Sequence, residues 1–278
     1  MIVDSHQHLW TADYGWLADP ALARIRRDYG VEDLRRNLRA ARVDRTVLVE
    51  AGRGEAAETT EFLATAADTE EIAGVVGWAS LTDPALAETL AGHRAGPGGH
   101  LLVGIRDQVQ GHPDDDYLDR PELRAGLRTI ADAGLVNELV VRVGQLPAVA
   151  RAAADLPDAR FVLDHLGKPR ITAGAAGLDQ WRSLVAPVAA RPNVVAKLSG
   201  LVTEADPTGW TVDDLRPFVA GAVELFGPDR LMFGSDWPVC ELAATYTQVR
   251  DALEQILGGT PDAIFATTAI STYKLEIE

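Results

Sequence analysis

The sequence predicts an α/β fold, a closed (β/α)8 barrel (TIM barrel) with one extra helix at its C-terminus. Eight short runs rich in Val, Ile and Leu alternate with helical stretches along the whole chain. This pattern is typical of parallel strands that are covered by helices. The length of 278 residues suits one such barrel, which has about 250 residues. No linker, low-complexity tract or strong short-period repeat interrupts the pattern, so we expect a single domain over residues 1–278.

The predicted strands are the near-continuous apolar runs, and they cover residues 2–6, 46–50, 74–78, 102–106, 139–143, 160–165, 194–198 and 231–235. Helices are predicted between the strands, and five of them can be given bounds: residues 31–42, 121–133, 179–190, 212–226 and 246–257. Another helix is predicted to start at Asp83-Pro84, an N-cap followed by proline at the first helical position. Gly134 and Gly227 follow two of the helices as C′ residues. The extra C-terminal helix is predicted over residues 261–273.

Composition excludes several classes of partner. The formal net charge is -15, and such a surface repels nucleic acid and anionic lipid. We expect no signal peptide, because the first ten residues lack a basic region followed by an apolar stretch, and no apolar run reaches the ~20 residues needed to cross a bilayer. A single cysteine, Cys240, cannot form an internal disulfide. We therefore expect a cytoplasmic protein with a small-molecule partner, and the sequence leaves the oligomeric state open.

Two histidines end the first predicted strand. Because side chains alternate between the two faces of a strand, Asp4, His6 and His8 are expected to point the same way. Two imidazoles on one face at the barrel mouth can chelate a metal ion. The alternative is an accidental pair near the N-terminus, because His-X-His alone is a weak motif.

Strands six and eight end in His165 and Asp236. Taken singly, His165 is explained as a core histidine and Asp236 as a turn cap before Trp-Pro. Active sites of (β/α)8 barrels lie at the C-terminal ends of the strands. His6, His8, His165 and Asp236 are all predicted to lie at that rim, and this convergence is the strongest functional signal in the sequence.

Three further charged residues lie at or near strand ends. Glu50 ends strand two and is a candidate substrate-binding residue. Arg106 ends strand four and can hold a substrate carbonyl or carboxylate, or instead form a rim salt bridge with Asp107 or Glu50. Lys197, near the end of strand seven, can polarise a carbonyl, or instead serve as a buried partner of Asp4 or Glu50.

Aromatic residues are predicted to gather at the same mouth, where sugar rings dock well on aromatic faces. Loop packing is the alternative for any one of them. The set comprises Trp10, Tyr14, Trp16, Trp78, Tyr117, Trp210 and Trp237. Of these, Tyr14, Trp16, Trp78 and Trp237 are the candidate substrate-binding residues. The run Asp114-Asp115-Asp116 is interpreted as a solvated loop.

Four segments carry a resemblance to a known family: IVDSHQHLW, VLDHLGKP, NVVAKLSGLVTEA and GPDRLMFGSDWPVC. The sequence resembles the amidohydrolase-related (amidohydrolase 2) family, and within it the sugar-lactonase branch that includes L-fucono- and L-rhamnono-lactonases. The resemblance covers nearly the whole chain. It implies a (β/α)8 barrel with His6, His8, His165 and Asp236 at the reacting centre. It also implies one divalent metal, commonly zinc, which some lactonase relatives do not need.

The chain departs from family patterns at two places. Members with two metals carry a bridging Lys or Glu at strand four and a His at strand five, whereas the predicted strands here end in Arg106 and near Arg142. A two-metal site is therefore not expected. Lactonase relatives often carry His after this arginine, whereas this chain has Asp107, which leaves the identity of the substrate open.

The resulting hypothesis is a hydrolase that opens a small sugar (aldono-) lactone by attack of water. His6, His8 and Asp236 are the expected metal ligands, and Asp236, His165, Arg106 and Lys197 are the expected catalytic residues. Asp236 is expected to accept the proton of water and to return it to the ring oxygen. One alternative is a metal-dependent decarboxylase that uses the same residues. The other, a non-catalytic barrel that binds a sugar acid, is disfavoured by the His/Asp set.

Overall fold

Eight parallel strands form one sheet in the order β1 to β8. The structure, a computed structural model, describes residues 1–277. The strands are β1 (Val3–Gln7), β2 (Arg45–Val49), β3 (Ile72–Gly77), β4 (Leu102–Asp107), β5 (Val136–Leu139), β6 (Phe161–Leu163), β7 (Val194–Leu198) and β8 (Leu231–Phe233). Backbone hydrogen bonds close the barrel, since the His8 amide donates to the Trp237 carbonyl at 2.7 Å and the Asp236 amide donates to that of His6 at 2.8 Å. The predicted (β/α)8 barrel is confirmed.

Helices separate consecutive strands and cover the outside of the barrel. They are α1 (Val31–Ala41), α2 (Ala56–Ala67), α3 (Leu86–Ala95), α4 (Pro121–Asp132), α5 (Leu146–Asp155), α6 (Gly174–Ala189), α7 (Leu201–Glu204), α8 (Val212–Phe226), α9 (Tyr246–Leu257) and α10 (Thr268–Tyr273). Gly134, with a φ of 71°, is the C′ residue of α4 as predicted, whereas Gly227, with a φ of 74°, is itself the C-cap of α8. None of the helices in residues 1–277 is long and apolar enough to span a membrane.

The apolar core has two parts. The larger cluster fills the space between strands and helices. The smaller cluster contains alternate strand residues, such as Val47 and Val49, together with Tyr273 and Leu275 from the C-terminal segment. That segment forms a π-helical turn (Ala263–Thr267) and then α10, so the extra C-terminal helix is present and packs against the barrel. Side chains of the strands and of the C-terminal segment therefore fill the barrel interior where α10 packs, as in other barrels of this size.

Several predicted bounds were wrong. Strand five was predicted at residues 139–143 but is Val136–Leu139, which places Glu138 in the sheet. α3 begins at Leu86, because Asp83 and Pro84 form a turn in which Asp83 accepts a hydrogen bond from the Ala85 amide. Helices α2 and α5 lie in connections for which the sequence predicts no individual helix bounds.

The alternation predicted for strand one also fails. The register between β1 and β2 shifts between Asp4 and Gln7. Asp4 accepts hydrogen bonds from Ser235 and Tyr246, whereas the His6 ring lies 3.0 Å from Lys197 Nζ. A β-bulge of this kind changes which face a side chain takes, so Asp4 does not join the histidines.

Candidate active site

A cavity of about 320 Å³ opens at the C-terminal ends of the strands. His8, Arg106, His165 and Asp236 line it, with Trp10 and Trp16 on its wall. Arg106 lies near the end of β4, and His8, His165 and Asp236 follow β1, β6 and β8. The barrel closure brings their strand ends to one rim, which is where barrels of this type place their chemistry.

His6, His8, His165 and Asp236 form one compact group, here called the His/Asp centre. The Nε2 atoms of His6 and His8 are 3.1 Å apart. Asp236 Oδ1 lies 3.7 Å from His6 Nε2, 3.5 Å from His8 Nε2 and 3.9 Å from His165 Nε2. Tetrahedral zinc with bonds of about 2.0–2.1 Å separates its ligand atoms by about 3.3 Å. His6, His165 and Asp236 offer ligand atoms that all lie within 4.8 Å of one another and could hold a metal ion, and His8 Nε2 lies beside His6 and Asp236.

The rings of His8 and His165 are each oriented by a hydrogen bond at Nδ1, the nitrogen that does not face the centre. His8 Nδ1 lies 2.9 Å from the Val49 carbonyl oxygen, and His165 Nδ1 lies 2.8 Å from Ser199 Oγ. The carbonyl oxygen can only accept, so His8 Nδ1 carries the proton and Nε2 presents its lone pair to the centre. Such partners fix the tautomer and the ring orientation of metal-binding histidines.

Unusual backbone conformations place His165 and Asp236. Their φ values are 52° and 57°, in the left-handed region that costs about 1–3 kcal/mol for an ordinary residue. Gly200 packs against both side chains: a Cβ there would lie 2.5 Å from His165 Nδ1 and 3.2 Å from Asp236 Oδ2. Residue 200 must therefore be glycine for the two side chains to approach each other as they do.

A buried ionic network lies around and below His6. Arg106 Nε donates to Glu50 Oε1 at 2.6 Å, and Arg106 Nη1 donates to Asp164 Oδ2 at 2.9 Å. Lys197 Nζ donates to Glu138 Oε1 at 2.6 Å and lies 3.3 Å from Asp164 Oδ1. The Tyr273 hydroxyl donates to Glu138 Oε2 at 2.5 Å. Every charge in this network has an opposite charge within contact distance, as a buried charge requires.

Burial favours the neutral form of two of the imidazoles, those of His6 and His165. Burial lowers the pKa of His165 to about 4. Burial, with the charge of Lys197, also lowers the pKa of His6 well below its usual range. For Asp236, burial raises the pKa, but His165 and the other imidazoles more than offset this, and the pKa lies below its usual range. Neutral imidazoles and an ionised carboxylate are the forms that bind metal.

The predicted site residues occupy different places. Trp16 lines the cavity with Arg106 and the rim residues. Glu50 and Lys197 are fully buried and lie in the ionic network. They do not line the cavity, but Glu50 contacts Arg106 and Lys197 contacts His6. The remaining predicted substrate-binding residues, Tyr14, Trp78 and Trp237, do not line it.

Tyr14 and Trp237 are buried and pack behind the cavity wall. The Tyr14 hydroxyl donates to Glu58 at 2.8 Å, and the Trp237 indole donates to Glu241 at 2.8 Å. Trp78 is half-buried, and its backbone amide donates to the Thr59 hydroxyl. The polar side-chain atoms of Tyr14 and Trp237 are therefore engaged within the protein, which agrees with the loop-packing alternative for these two residues.

Sequence reasoning missed Glu138, Lys168 and Glu204 as site residues. Glu138 was missed because strand five was placed three residues too late. Lys168 and Glu204 lie within the segments VLDHLGKP and NVVAKLSGLVTEA that carried the family resemblance, and both line the cavity. Asp164, the residue before His165, was also missed, and its Oδ1 lies 3.2 Å from His6 Nδ1.

The family model described as amidohydrolase matches residues 3–275. The chain belongs to this amidohydrolase family. The L-fucono-1,5-lactonase of Burkholderia multivorans is 37% identical, over 98% of this chain and 96% of the relative. The L-fucono-1,5-lactonase of Burkholderia ambifaria is 33% identical, over 99% of this chain and 96% of the relative. A crystal structure of an amidohydrolase from Burkholderia multivorans with bound zinc superimposes with a TM-score of 0.93, at 36% identity and 99% coverage of both chains.

Proposed function

We propose that this amidohydrolase is a lactonase that opens a small sugar lactone to the hydroxy acid. The His/Asp centre beside Arg106, on the wall of one cavity, carries the proposal. Membership of the family and the two relatives named L-fucono-1,5-lactonase support it. The proposal includes zinc as the metal ion, a role in cytoplasmic carbohydrate breakdown, and a single domain over residues 1–278.

The residues that would hold the ion are His6, His8, His165 and Asp236. A bound divalent ion supplies Lewis acidity and lowers the pKa of water to about 7. The zinc in the related crystal structure supports this choice of ion.

Arg106 is the residue that receives the lactone carbonyl. A guanidinium has five N–H donors, and three acceptors hold this one: the Glu50 carboxylate, the Glu50 carbonyl and Asp164. His6 Nε2 also lies 3.3 Å from Arg106 Nη1, but its lone pair would be directed to the metal ion. Two N–H groups are therefore left, and one of them can donate to the substrate. The anchoring contacts raise the pKa of Arg106 above its usual range despite its burial, which by itself lowers that pKa. Arg106 therefore offers a fixed positive charge to the oxygen that gains negative charge during attack.

Asp236 moves the proton. As water attacks the carbonyl carbon, a new C–O bond forms and the carboxylate of Asp236 accepts the proton of water. When the tetrahedral intermediate collapses, the bond from the carbonyl carbon to the ring oxygen breaks, and Asp236 returns the proton to that oxygen. The position of Asp236 after β8 places its Oδ1 within 4 Å of His8 Nε2 and His165 Nε2, next to the site that would hold the metal ion. No covalent enzyme intermediate is required, and the buried thiol of Cys240 has its pKa raised by burial.

The decarboxylase alternative has less support from the comparisons. The two relatives that are 33% and 37% identical over nearly the whole chain are both named L-fucono-1,5-lactonase. The solved decarboxylase structures that share the fold are only 15–16% identical, and this likeness carries no argument about the reaction.

A panel of five- and six-membered aldonolactones tests the proposal, with purified protein and a pH indicator that reports release of the acid. We expect at least one lactone to be hydrolysed well above the spontaneous rate. Release of CO2 from aromatic acids, with every lactone left intact, would refute the lactonase assignment.

A further inference from the structure

Two charged side chains that the mechanism leaves unused line the same cavity as His165 and Asp236. Lys168 follows the turn after β6, and Glu204 is the last residue of α7 after β7. Their side chains are 28% and 26% exposed, and Lys168 Nζ lies 3.9 Å from Glu204 Oε1. Both groups are thus partly withdrawn from water but open to the cavity.

Neither side chain has a hydrogen-bond partner within the described part of the chain, residues 1–277. A separation of 3.9 Å exceeds the usual 2.7–3.2 Å of a hydrogen bond. Burial raises the pKa of Glu204, and the charge of Lys168 opposes that shift. The pair therefore keeps a free donor and a free acceptor side by side, whereas Arg106 and Lys197 have bound acceptors of their own.

The chemistry of the pair selects its ligand. A carboxylate on the ligand can accept from Lys168 but is repelled by Glu204 and by nearby Asp236. An amine is attracted by the acid and repelled by the lysine. A hydroxyl donates and accepts at once, so one hydroxyl oxygen at about 2.7–2.8 Å from both atoms can bridge them with two charge-assisted hydrogen bonds.

We propose that Lys168 and Glu204 form a hydroxyl-binding subsite that selects neutral, polyhydroxylated lactones over lactones with bare rings or with a carboxylate. This inference rests on the proposed lactonase function and adds the substrate feature that the cavity recognises. The apolar wall residues Trp16, Val140 and Val239 can cover the carbon skeleton of such a ring.

The variants Lys168→Met and Glu204→Gln test the subsite with two lactones. One is an aldonolactone that the wild-type protein hydrolyses, and the other is δ-valerolactone, whose ring has no hydroxyls. We expect kcat/KM on the aldonolactone to fall about 10- to 100-fold, the usual worth of a hydrogen bond to a charged group, with most of the change in KM. On δ-valerolactone, kcat/KM should change less than about threefold.

Matched controls exist in the chain. Lys274→Met removes an exposed lysine whose backbone φ of 54° equals that of Lys168, and Glu224→Gln removes an acid paired with Arg182 at 2.7 Å on the surface. Both controls should retain wild-type kcat/KM on both lactones. Equal losses on the two lactones in the Lys168 and Glu204 variants would overturn the subsite, because a general structural or electrostatic effect would then explain them.

Calorimetric binding of a panel of sugar lactams separates the subsite from the proposed function. A lactam keeps the ring, hydroxyls and carbonyl but resists hydrolysis. Binding that weakens at least about 10-fold in both variants supports the subsite, even if no lactone is turned over and the lactonase assignment fails. Lactam binding that is as tight in both variants as in wild type would overturn the subsite, even if lactonase activity is found. The absence of detectable lactam binding to wild type and variants would overturn it as well.

Discussion

Replacing Lys197 with methionine should strongly destabilise the protein. Lys197 is fully buried, and its Nζ lies 2.6 Å from Glu138 Oε1, 3.3 Å from Asp164 Oδ1 and 3.0 Å from His6 Nδ1. Without it, Arg106 is the remaining cation in a network that holds three buried carboxylates, those of Glu50, Glu138 and Asp164.

The size of the loss follows from the unpaired charge. Removal of one partner of a buried ion pair costs about 3–5 kcal/mol, out of a total stability of about 5–15 kcal/mol. At about 2–4 °C per kcal/mol for a domain approaching this size, the midpoint of thermal unfolding should fall by about 10 °C. The double variant Lys197→Met/Glu138→Gln should recover part of the loss, because it also removes the carboxylate nearest to Lys197.

Urea unfolding monitored by circular dichroism measures this loss directly. Lys274→Met is the control, since the same substitution at an exposed site should change the free energy of unfolding by less than about 0.5 kcal/mol. A cost below about 1 kcal/mol for Lys197→Met would show that the network does not depend on this cation, and the description of its energetics would be wrong.

Two other substitutions probe the packing around the site. Gly200→Ala should destabilise the protein by at least about 1 kcal/mol and lower lactone turnover, because its φ is 64° and the new Cβ would lie 2.5 Å from His165 Nδ1; a wild-type melting temperature and rate would contradict this. Burial raises the pKa of Glu58, so the stability that its protonated form contributes is present below its unfolded-state pKa of about 4.3 and is lost as pH rises through the folded-state pKa. Glu58→Gln should therefore become more stable relative to wild type between pH 4.5 and pH 8 in urea titrations, and a difference independent of pH would refute the argument.

The architecture could be predicted because apolar strands and helices alternate regularly, and because parallel strands place their C-terminal ends at one rim. His6, His8, His165 and Asp236 were predicted as a group for that reason, and the structure places them together. The face of the strand on which each side chain lies was harder to predict from the sequence. The bulge in β1 separates Asp4 from His6, and alternation along a strand cannot reveal a bulge.

The ionic network could not be predicted from local pattern. Strand five was predicted over 139–143 because Val140 and Val141 extend an apolar run, whereas β5 contains Asn137 and Glu138. Such residues tolerate burial only through distant partners: Glu138 bonds to Lys197 and Tyr273, which lie 59 and 135 positions along the chain. Aromatic residues could not be assigned from the sequence for a different reason: the same side chains serve for packing and for binding sugar rings. Tyr14 and Trp237 are buried behind the cavity wall.

Asp236→Asn provides the most direct test of the central claim, that the His/Asp centre hydrolyses lactones with Asp236 moving the proton. The substitution preserves shape but removes the basic oxygen at a position on the barrel rim, so folding should survive. Turnover of the best aldonolactone should be measured together with zinc content on the same sample. We predict a rate at least about 100-fold lower in correctly folded protein, with retained zinc indicating the proton-transfer role and lost zinc indicating a ligand role. Hydrolysis at the wild-type rate would contradict the mechanism.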